Sequence, residues 1–481
     1  MKKLIAILVI FAQVTCSAMS LEEFLSAVTK KDRAFQSIEQ SKEAAISKRI
    51  SGDIALSPQL SLQGGYLDDQ RPVMLTPTFY LSRNAGWDYT AALSQSFASG
   101  TQASVNANFS QMSILTNNLA GYPANTNQSI GVGALGVSLS QSLWKDMFGH
   151  ATSLRHERER KVEELTRENF NLQAKQIIID AESAFWDLLY LQQEQKLREE
   201  SLQRAKKIES WVKTRFGNGI GDKADVLNSE GLVAARELEL IQTLDNLVAT
   251  QKKVADLLEL SANEKVPTLE GELGLARNLG TLAVGGEMPG RRVRLDSYLS
   301  ILDAKAKSIG SLEADESLKP DLVLSGGYTN NSFDPANGIT GAYNNINSSN
   351  MPTLQLGLKL TWLFDTGPKN ATRDSAHREA LAANLKMERQ LLESDSAWQE
   401  MQRRHGELSR EVQAARVMSD IQRKKAAAER EKLEKGKTIT SQVITAEQDA
   451  AESALTLTRL EAAQRKLESQ ARLFITLAEA K

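Results

Sequence analysis

The sequence predicts a membrane β-barrel joined to a long α-helical coiled-coil barrel, built from a tandem-duplicated strand and helical-hairpin unit. Three observations predict it. No proline occurs between Pro123 and Pro267, and from His150 to Phe216 apolar residues recur at heptad spacing (Ile177, Ala181, Ala184, Leu188, Leu191). Ahead of that stretch the apolar period falls to two, in runs near the roughly nine to eleven residues a tilted transmembrane strand needs. Both patterns then occur a second time.

Composition bounds the reading. The chain has 481 residues, 25% charged and 41% hydrophobic, with a formal charge of −2. It can bury a large core, and nothing in its charge points to nucleic acid. Residues 1–20 read as a signal peptide: Lys2-Lys3, an apolar run from Leu4 to Val14, then small residues suited to cleavage after Ala18 or Ser20. The only cysteine is Cys16, so the exported chain forms neither a disulfide nor a thiolate metal site. Val14-Thr15-Cys16 also resembles a lipoprotein processing site, although Thr is a poor residue before the cysteine; ordinary cleavage and lipid attachment are both open. No apolar stretch of about eighteen residues follows, which excludes a helical span and leaves a barrel as the way into a membrane.

In chain order, residues 21–55 predict an amphipathic helix, with Leu21, Phe24, Leu25, Val28, Phe35, Ile38 and Ala45 on one face. Residues 56–145 predict four barrel strands, at Pro58–Tyr66, Tyr89–Phe97, Thr101–Met112 and Leu135–Leu143. In the third, Ala103, Val105, Ala107 and Phe109 interleave with Ser104, Asn106, Asn108 and Ser110. The alternate residues are small and uncharged, where a soluble sandwich would more often carry Lys and Glu. Residues 146–260 predict a helical hairpin. Its first helix would be roughly 100 Å long at 1.5 Å per residue. Gly217, Gly219 and Gly221 end that helix, and Asp222 can cap the return. Residues 261–290, rich in Gly and Pro, predict an equatorial belt; 291–318 a further helix; 319–365 two strands; and 366–481 a second helical hairpin with a seam at Leu460, Ala463, Leu467, Ala471 and Phe474.

The duplication is visible residue by residue. Pro320–Tyr328 repeats Pro58–Tyr66 at an offset of 262 (320 − 58), and Gly357–Thr361 repeats Gly136–Ser140 at 221 (357 − 136). Gly436, Val443, Ile444 and Glu447 match Gly219, Val226, Leu227 and Glu230 at 217 (436 − 219). The fall from 262 to 221 leaves room in the first copy for two more strands. Six strands cannot close a membrane barrel, for which about eight is the smallest number, and open edges are not tolerated in hydrocarbon. Several chains must therefore share one barrel; three would give eighteen strands and a water-filled lumen.

The duplicated Pro-x-Leu-x-Leu-x-Gly-Gly-Tyr strand, the strand end Gln141-Ser142-Leu143-Trp144, the turn Arg215-Phe216-Gly217-Asn218-Gly219 followed by Asp225-Val226-Leu227, and its echo from Gly436 to Glu447 resemble the TolC family of outer-membrane efflux proteins. The resemblance covers nearly the whole exported chain. It implies a homotrimer in outer-membrane lipid, extending into the periplasm and docked through a periplasmic adaptor protein to an inner-membrane pump. Family members typically carry four strands per chain, so six is a departure. The resemblance places the adaptor contact and gate at the helical turns. There Gly219 and Gly436 would shape the chain, while Arg215, Ile220, Lys437 and Thr438 would face a partner or neighbour. Asp225 matches a gate aspartate whose usual tyrosine partner corresponds to Leu433. Gln442 and Thr445 stand where pore-facing acids occur in well-known members, which predicts weaker cation trapping at this entrance. A second reading keeps these as turn and capping residues only.

No catalytic, cofactor or metal constellation is evident. His150, His156, His377 and His405 fit no zinc pattern and read as solvated helix positions. The Gly217–Gly221 loop follows a helix and lacks a Gly-Lys-Ser/Thr ending, which argues against phosphate binding. Aromatic residues at strand ends (Tyr66, Trp87, Tyr89, Trp144, Tyr328 and Trp362 among them) suit interfacial girdles, and Ile114–Ile130 and Thr329–Met351 suit mobile extracellular loops. Together with the family resemblance, which implies hand-over from an inner-membrane transporter, the sequence predicts a non-enzymatic channel-tunnel that exports its substrates passively. The competing reading is a non-conducting structural or adhesive envelope protein with a coiled-coil stalk. Drug, metal or protein cargo is open.

Overall fold

A computed structural model describes residues 19–74, 79–118, 126–261, 264–283, 290–349 and 351–477. Helices α1 (Leu21–Lys31) and α2 (Arg33–Gly52) lead into strands β1 (Gln59–Asp69), β2 (Val73–Met74), β3 (Phe79–Ser96), β4 (Thr101–Asn118) and β5 (Thr126–Ser142). Then come α3 (His150–Gly217), α4 (Lys223–Leu257), the short α5 (Leu279–Leu282), β6 (Arg291–Arg294) and α6 (Leu295–Ser317). The chain closes with β7 (Asp321–Asp334), α7 (Gly338–Asn345), β8 (Pro352–Thr361), α8 (Thr366–Glu434), α9 (Thr440–Gln470) and β9 (Phe474–Leu477). The chain divides into two units, one from the described residues of Met1–Glu43, Arg167–Leu299 and Glu388–Lys481, the other from those of Ala44–Thr166 and Ser300–Met387.

The second unit holds one antiparallel sheet in the order β1-β3-β4-β5-β7-β8, with β2 pairing only β3. The two copies of the repeat meet at β5 and β7. Register divides the sheet into two faces, because partners directly opposite share a side. One row across all six long strands is Leu60, Leu93, Val105, Val137, Tyr328 and Leu354. The next row, on the other face, is Ser61, Ala92, Asn106, Gly136, Thr329 and Thr353. Every residue of the apolar row is exposed, from 45% at Val105 to 73% at Leu354. Among the described residues β1 and β8 each pair on one side only, so the sheet they form is open.

Several sequence expectations are corrected in this unit. Strand β3 runs 18 residues from Phe79, well beyond the segment expected from Tyr89. Ile114–Asn118 and Thr126–Ile130, expected as loop, lie in β4 and β5, while 119–125 fall outside the described residues. Thr329–Met351, also expected as a loop, continues β7 to Asp334 and then forms α7, whose Gly338, Gly341 and Ala342 are buried. The turn from sheet to α3 needs Gly149: its φ is +81, and a Cβ there would lie 1.8 Å from the Ala98 carbonyl oxygen. The Asp146 carboxylate accepts from the Thr152 amide at 3.0 Å and holds the first turn.

The first unit is helical. The expected 21–55 helix breaks at Asp32, whose backbone leaves the helical region (φ −61, ψ 119) and whose carboxylate accepts from the Phe35 amide at 2.8 Å. One helix therefore ends and a second is capped at the same residue. Ser20, one of the two residues expected to precede cleavage, caps α1 in a reciprocal box with Glu23. The core joins Phe24 and Val28 of α1 to Phe185, Trp186 and Leu188 of α3, Val254 and Leu258 around the end of α4, and Leu269 and Leu273 of the belt.

Residues 291–294, expected to begin a helix, instead pair as β6 with β9. The expected C-terminal seam is corrected too: Ala463 is exposed, and Phe474 belongs to β9. α9 buries a polar face that includes Gln464, Arg465 and Glu468. The fully buried Glu182 accepts from Arg277 at 3.0 Å and from Arg472 at 2.8 Å. Glu468, equally buried, pairs with Arg465 at 2.7 Å and His405 at 3.1 Å. Burial pushes the Arg465 guanidinium down from its ordinary pKa, opposed by Glu468. His405 and His156, expected to be solvated, are part-buried with ring side chains 18% exposed.

Candidate functional site at the paired helical turns

Both long helices end in the same way. After α3 the Gly219 amide donates to Phe216 O at 3.0 Å and the Ile220 amide to Arg215 O at 3.0 Å. After α8 the Gly436 amide donates to Leu433 O at 2.9 Å and the Lys437 amide to Lys432 O at 2.8 Å. Each is a Schellman motif, with a glycine at the left-handed position: φ is +74 at Gly219 and +66 at Gly436. A Cβ on either would meet nothing within 4 Å, so backbone conformation alone demands the glycine. Gly219→Ala and Gly436→Ala should each cost about 1–2 kcal/mol, from the penalty on a left-handed L-residue. Faster hydrogen exchange of the turn amides would register it; unchanged exchange would contradict it.

The two turns pack on one another. Val212 and Leu232 of the first hairpin cluster with Leu433 and Val443 of the second, flanked by Trp211, Val226 and Ile444. The repeat extends to electrostatics: Lys213 pairs with Glu230 at 3.0 Å, and the equivalent Arg430 pairs with Glu447 at 2.8 Å. Glu447 is only 4% exposed and also takes Arg204 of α3 at 3.0 Å. That carboxylate thus ties the second hairpin to the first. The repeat aligns Glu447 with Glu230 in sequence, but neither arginine was expected there, although the same 217 offset carries Lys213 onto Arg430.

The predicted site residues distribute around this cluster. Arg215 is half-buried, its guanidinium 4.7 Å from the Trp211 ring centroid. Ile220 is 68% exposed and Lys437 is exposed. Asp222 caps α4 through the Ala224 amide, whereas α9 starts at Ile439 without a side-chain cap. Instead the Thr438 hydroxyl lies 2.6 Å from Gln442 Oε1 and 3.1 Å from Glu429 Oε2. The Lys432 ammonium chiefly, with Thr438, holds the Glu429 carboxyl below its usual range. Gln442 and Thr445 are exposed, and the Thr445 hydroxyl donates to Ser441 O. Asp225 is half-buried, and Leu433 is 3% exposed in the apolar cluster, so it offers Asp225 no polar partner.

In the second unit, α2, α3, α6 and α8 line a groove of about 1080 Å³. Neighbouring helices are tied by Arg49–Glu163 (3.2 Å), Arg158–Glu313 (3.1 Å) and Lys307–Glu379 (2.8 Å). The groove therefore carries both signs of charge. Among the described residues no group of three or more His, Cys, Asp or Glu could hold a metal ion, and no helix is long and apolar enough to cross a membrane.

No family model and no curated protein matches the chain. Solved structures do. It resembles VceC, an outer membrane protein of Vibrio cholerae, with a TM-score of 0.60 and 14% identity over 94% of each chain. It resembles the MtrE outer membrane channel of Neisseria gonorrhoeae in its open state, with a TM-score of 0.62 and 13% identity over 94% of this chain and 89% of that one. The chain has the fold of outer-membrane channels. The CmeC outer membrane channel of Campylobacter jejuni shares it, with a TM-score of 0.61 and 12% identity over 94% of this chain and 84% of that one. Within this channel fold the open sheet and the paired turns are the two features that bear on function.

Proposed function

We propose that the chain is an outer-membrane channel-tunnel, through which substrates delivered by an inner-membrane transporter and a periplasmic adaptor leave passively. The observation that carries this reading is the exposed apolar row from Leu60 to Leu354, backed by an uncharged polar row on the opposite face. A sheet with one lipid-compatible face and one water-compatible face is what a barrel wall around an aqueous lumen requires. The free edges of β1 and β8 need partners in lipid, which supports a shared barrel formed by a homotrimer. Exposed Leu238, Ile241 and Val248 on α4 and Leu392, Val417 and Ile421 on α8 supply apolar faces for the same association.

In this reading the paired turns form the periplasmic entrance and adaptor contact. Ile220, Lys437 and Thr438 present the contact, and Gly219 and Gly436 hold its shape. Arg215 steadies the first turn against Trp211. With Leu433 buried in the apolar cluster, and Gln442 and Thr445 neutral, the entrance is closed mainly by packing rather than by acidic rings. The mixed charges of the α2–α3–α6–α8 groove suit a lumen that selects weakly. Purified protein in planar lipid bilayers should give discrete conductance steps; a non-conducting envelope stalk would give none.

A further inference from the structure

Helix α7 rests on the apolar face of the sheet, not on its polar face. It packs against β4, β5 and β7, where the row Tyr89, Phe109, Gly133, Ser332 and the row Tyr66, Trp87, Gln111, Gly131, Asp334 cross the apolar side. The seat is built for it. A Cβ on Gly131 would lie 1.9 Å from Gly338 O, and one on Gly341 would lie 2.3 Å from the Asp334 carboxylate.

The helix and the residues flanking it also engage the polar groups of Asn330, Ser332 and Asp334, which β7 would otherwise show on that face. The Ser332 hydroxyl donates to Ala342 O at 2.6 Å, and Asn330 Nδ2 donates to Ile346 O at 2.5 Å. The Asp334 carboxylate accepts from the amides of Ala336 (2.8 Å) and Asn337 (2.6 Å) and from Asn345 Nδ2 (3.2 Å). Ser332 and Asp334 are 1% and 7% exposed. Such internal satisfaction is demanded where water is scarce.

Aromatic rings give the level. Tyr66 and Trp87 lie 5.0 Å apart and Trp87 and Tyr89 6.3 Å apart on the apolar face, and Phe109 stands opposite Tyr89. The band would stop at Gly131 and Gly133. Tyr343 of α7 continues it, with its ring 5.7 Å from Phe109 and the residue 63% exposed.

We propose that α7 is a membrane-contacting helix that completes the outer aromatic girdle of the barrel and sets Tyr343 at the boundary between headgroups and acyl chains of a lipid bilayer. The proposal rests on the channel reading above, and on this face lipid is the only occupant whose chemistry fits an aromatic band over apolar rows. No charged residue lies in Gly338–Asn347, so the contact is the amphipathic one of an interfacial tyrosine and not attraction to ionic headgroups.

The test is nitroxide depth in phosphatidylcholine vesicles, read as the ratio of collisions with oxygen to collisions with a water-soluble nickel chelate. Labels at Tyr343→Cys, Leu356→Cys on the apolar face and Asn106→Cys on the polar face are compared, and the unsubstituted chain, whose only cysteine is Cys16, serves as blank. Tyr343 should give a ratio several-fold above that at Asn106 and below that at Leu356. Adding Gly131→Leu, which leaves no room for the Gly338 backbone, should return the Tyr343 label to the aqueous value. A Tyr343 ratio equal to that at Asn106, with Leu356 still deep, would overturn the role of α7 and leave the channel reading standing. An aqueous Leu356 label would overturn both.

Discussion

Leu356→Arg is expected to prevent stable membrane insertion, while Gln355→Arg, one residue away, is expected to be tolerated. Leu356 sits on β8 opposite Gly326 and is 76% exposed in the single chain, so the substitution disturbs no packing within it. Its cost appears only in lipid, at about 2–4 kcal/mol for an arginine near the bilayer midplane, incurred once per subunit. Gln355 pairs with Gly327 on the polar face, where a cation would meet water. Flotation of reconstituted vesicles on a density gradient would separate the two variants. If both floated equally, the apolar face would not be the lipid face.

Glu182→Ala should produce the largest loss of stability in the helical unit. Glu182 accepts from Arg277 and Arg472, and Trp186 Nε1 lies 3.4 Å from the same carboxylate. Nearby, Glu468 is already engaged by Arg465 and by the His405 ring. Removing one carboxylate strands guanidinium groups beside a buried arginine, and breaking a buried pair in this way costs about 3–5 kcal/mol. A large fall in the denaturation midpoint in detergent is expected, with Glu182→Gln intermediate because it still accepts hydrogen bonds. A loss below about 1 kcal/mol would mean that water had replaced the carboxylate, and that the cluster is not a fixed clamp.

What the sequence disclosed and what it hid follow from how local each determinant is. The end of α3 was legible because glycine is the residue that accepts a left-handed φ, as Gly219 does, and the helix ends at Gly217, one residue from the expected boundary. Strand faces were legible in Thr101–Met112 because apolar residues alternating with small uncharged ones fit a pleated strand and no helix, whose period would scatter them over both faces. β6 was hidden because Arg291–Arg294 becomes a strand only through pairing with Phe474–Leu477, far along the chain. α7 was hidden because Gly-Ile-Thr-Gly-Ala-Tyr-Asn-Asn is a poor helix former that owes its shape to the sheet beneath it. The buried face of α9 was missed because a search for apolar residues finds Leu460 and Leu467 but passes over Arg465 and Glu468, which bury only as partners. At the turns the two glycines could be aligned from the repeat, whereas Asp225 and Leu433 were singled out only by the family resemblance. The double clamp on Glu447 could not, since Arg204 reaches it across two hairpins.

In the proposed channel one chain supplies only an arc of the barrel, with β1 and β8 left open for copies of itself. The mass of the detergent-purified protein by native mass spectrometry tests this most directly. Three chains per particle is the predicted result. A stable monomer would contradict it, since a sheet of six long strands with two bare edges has no place in hydrocarbon.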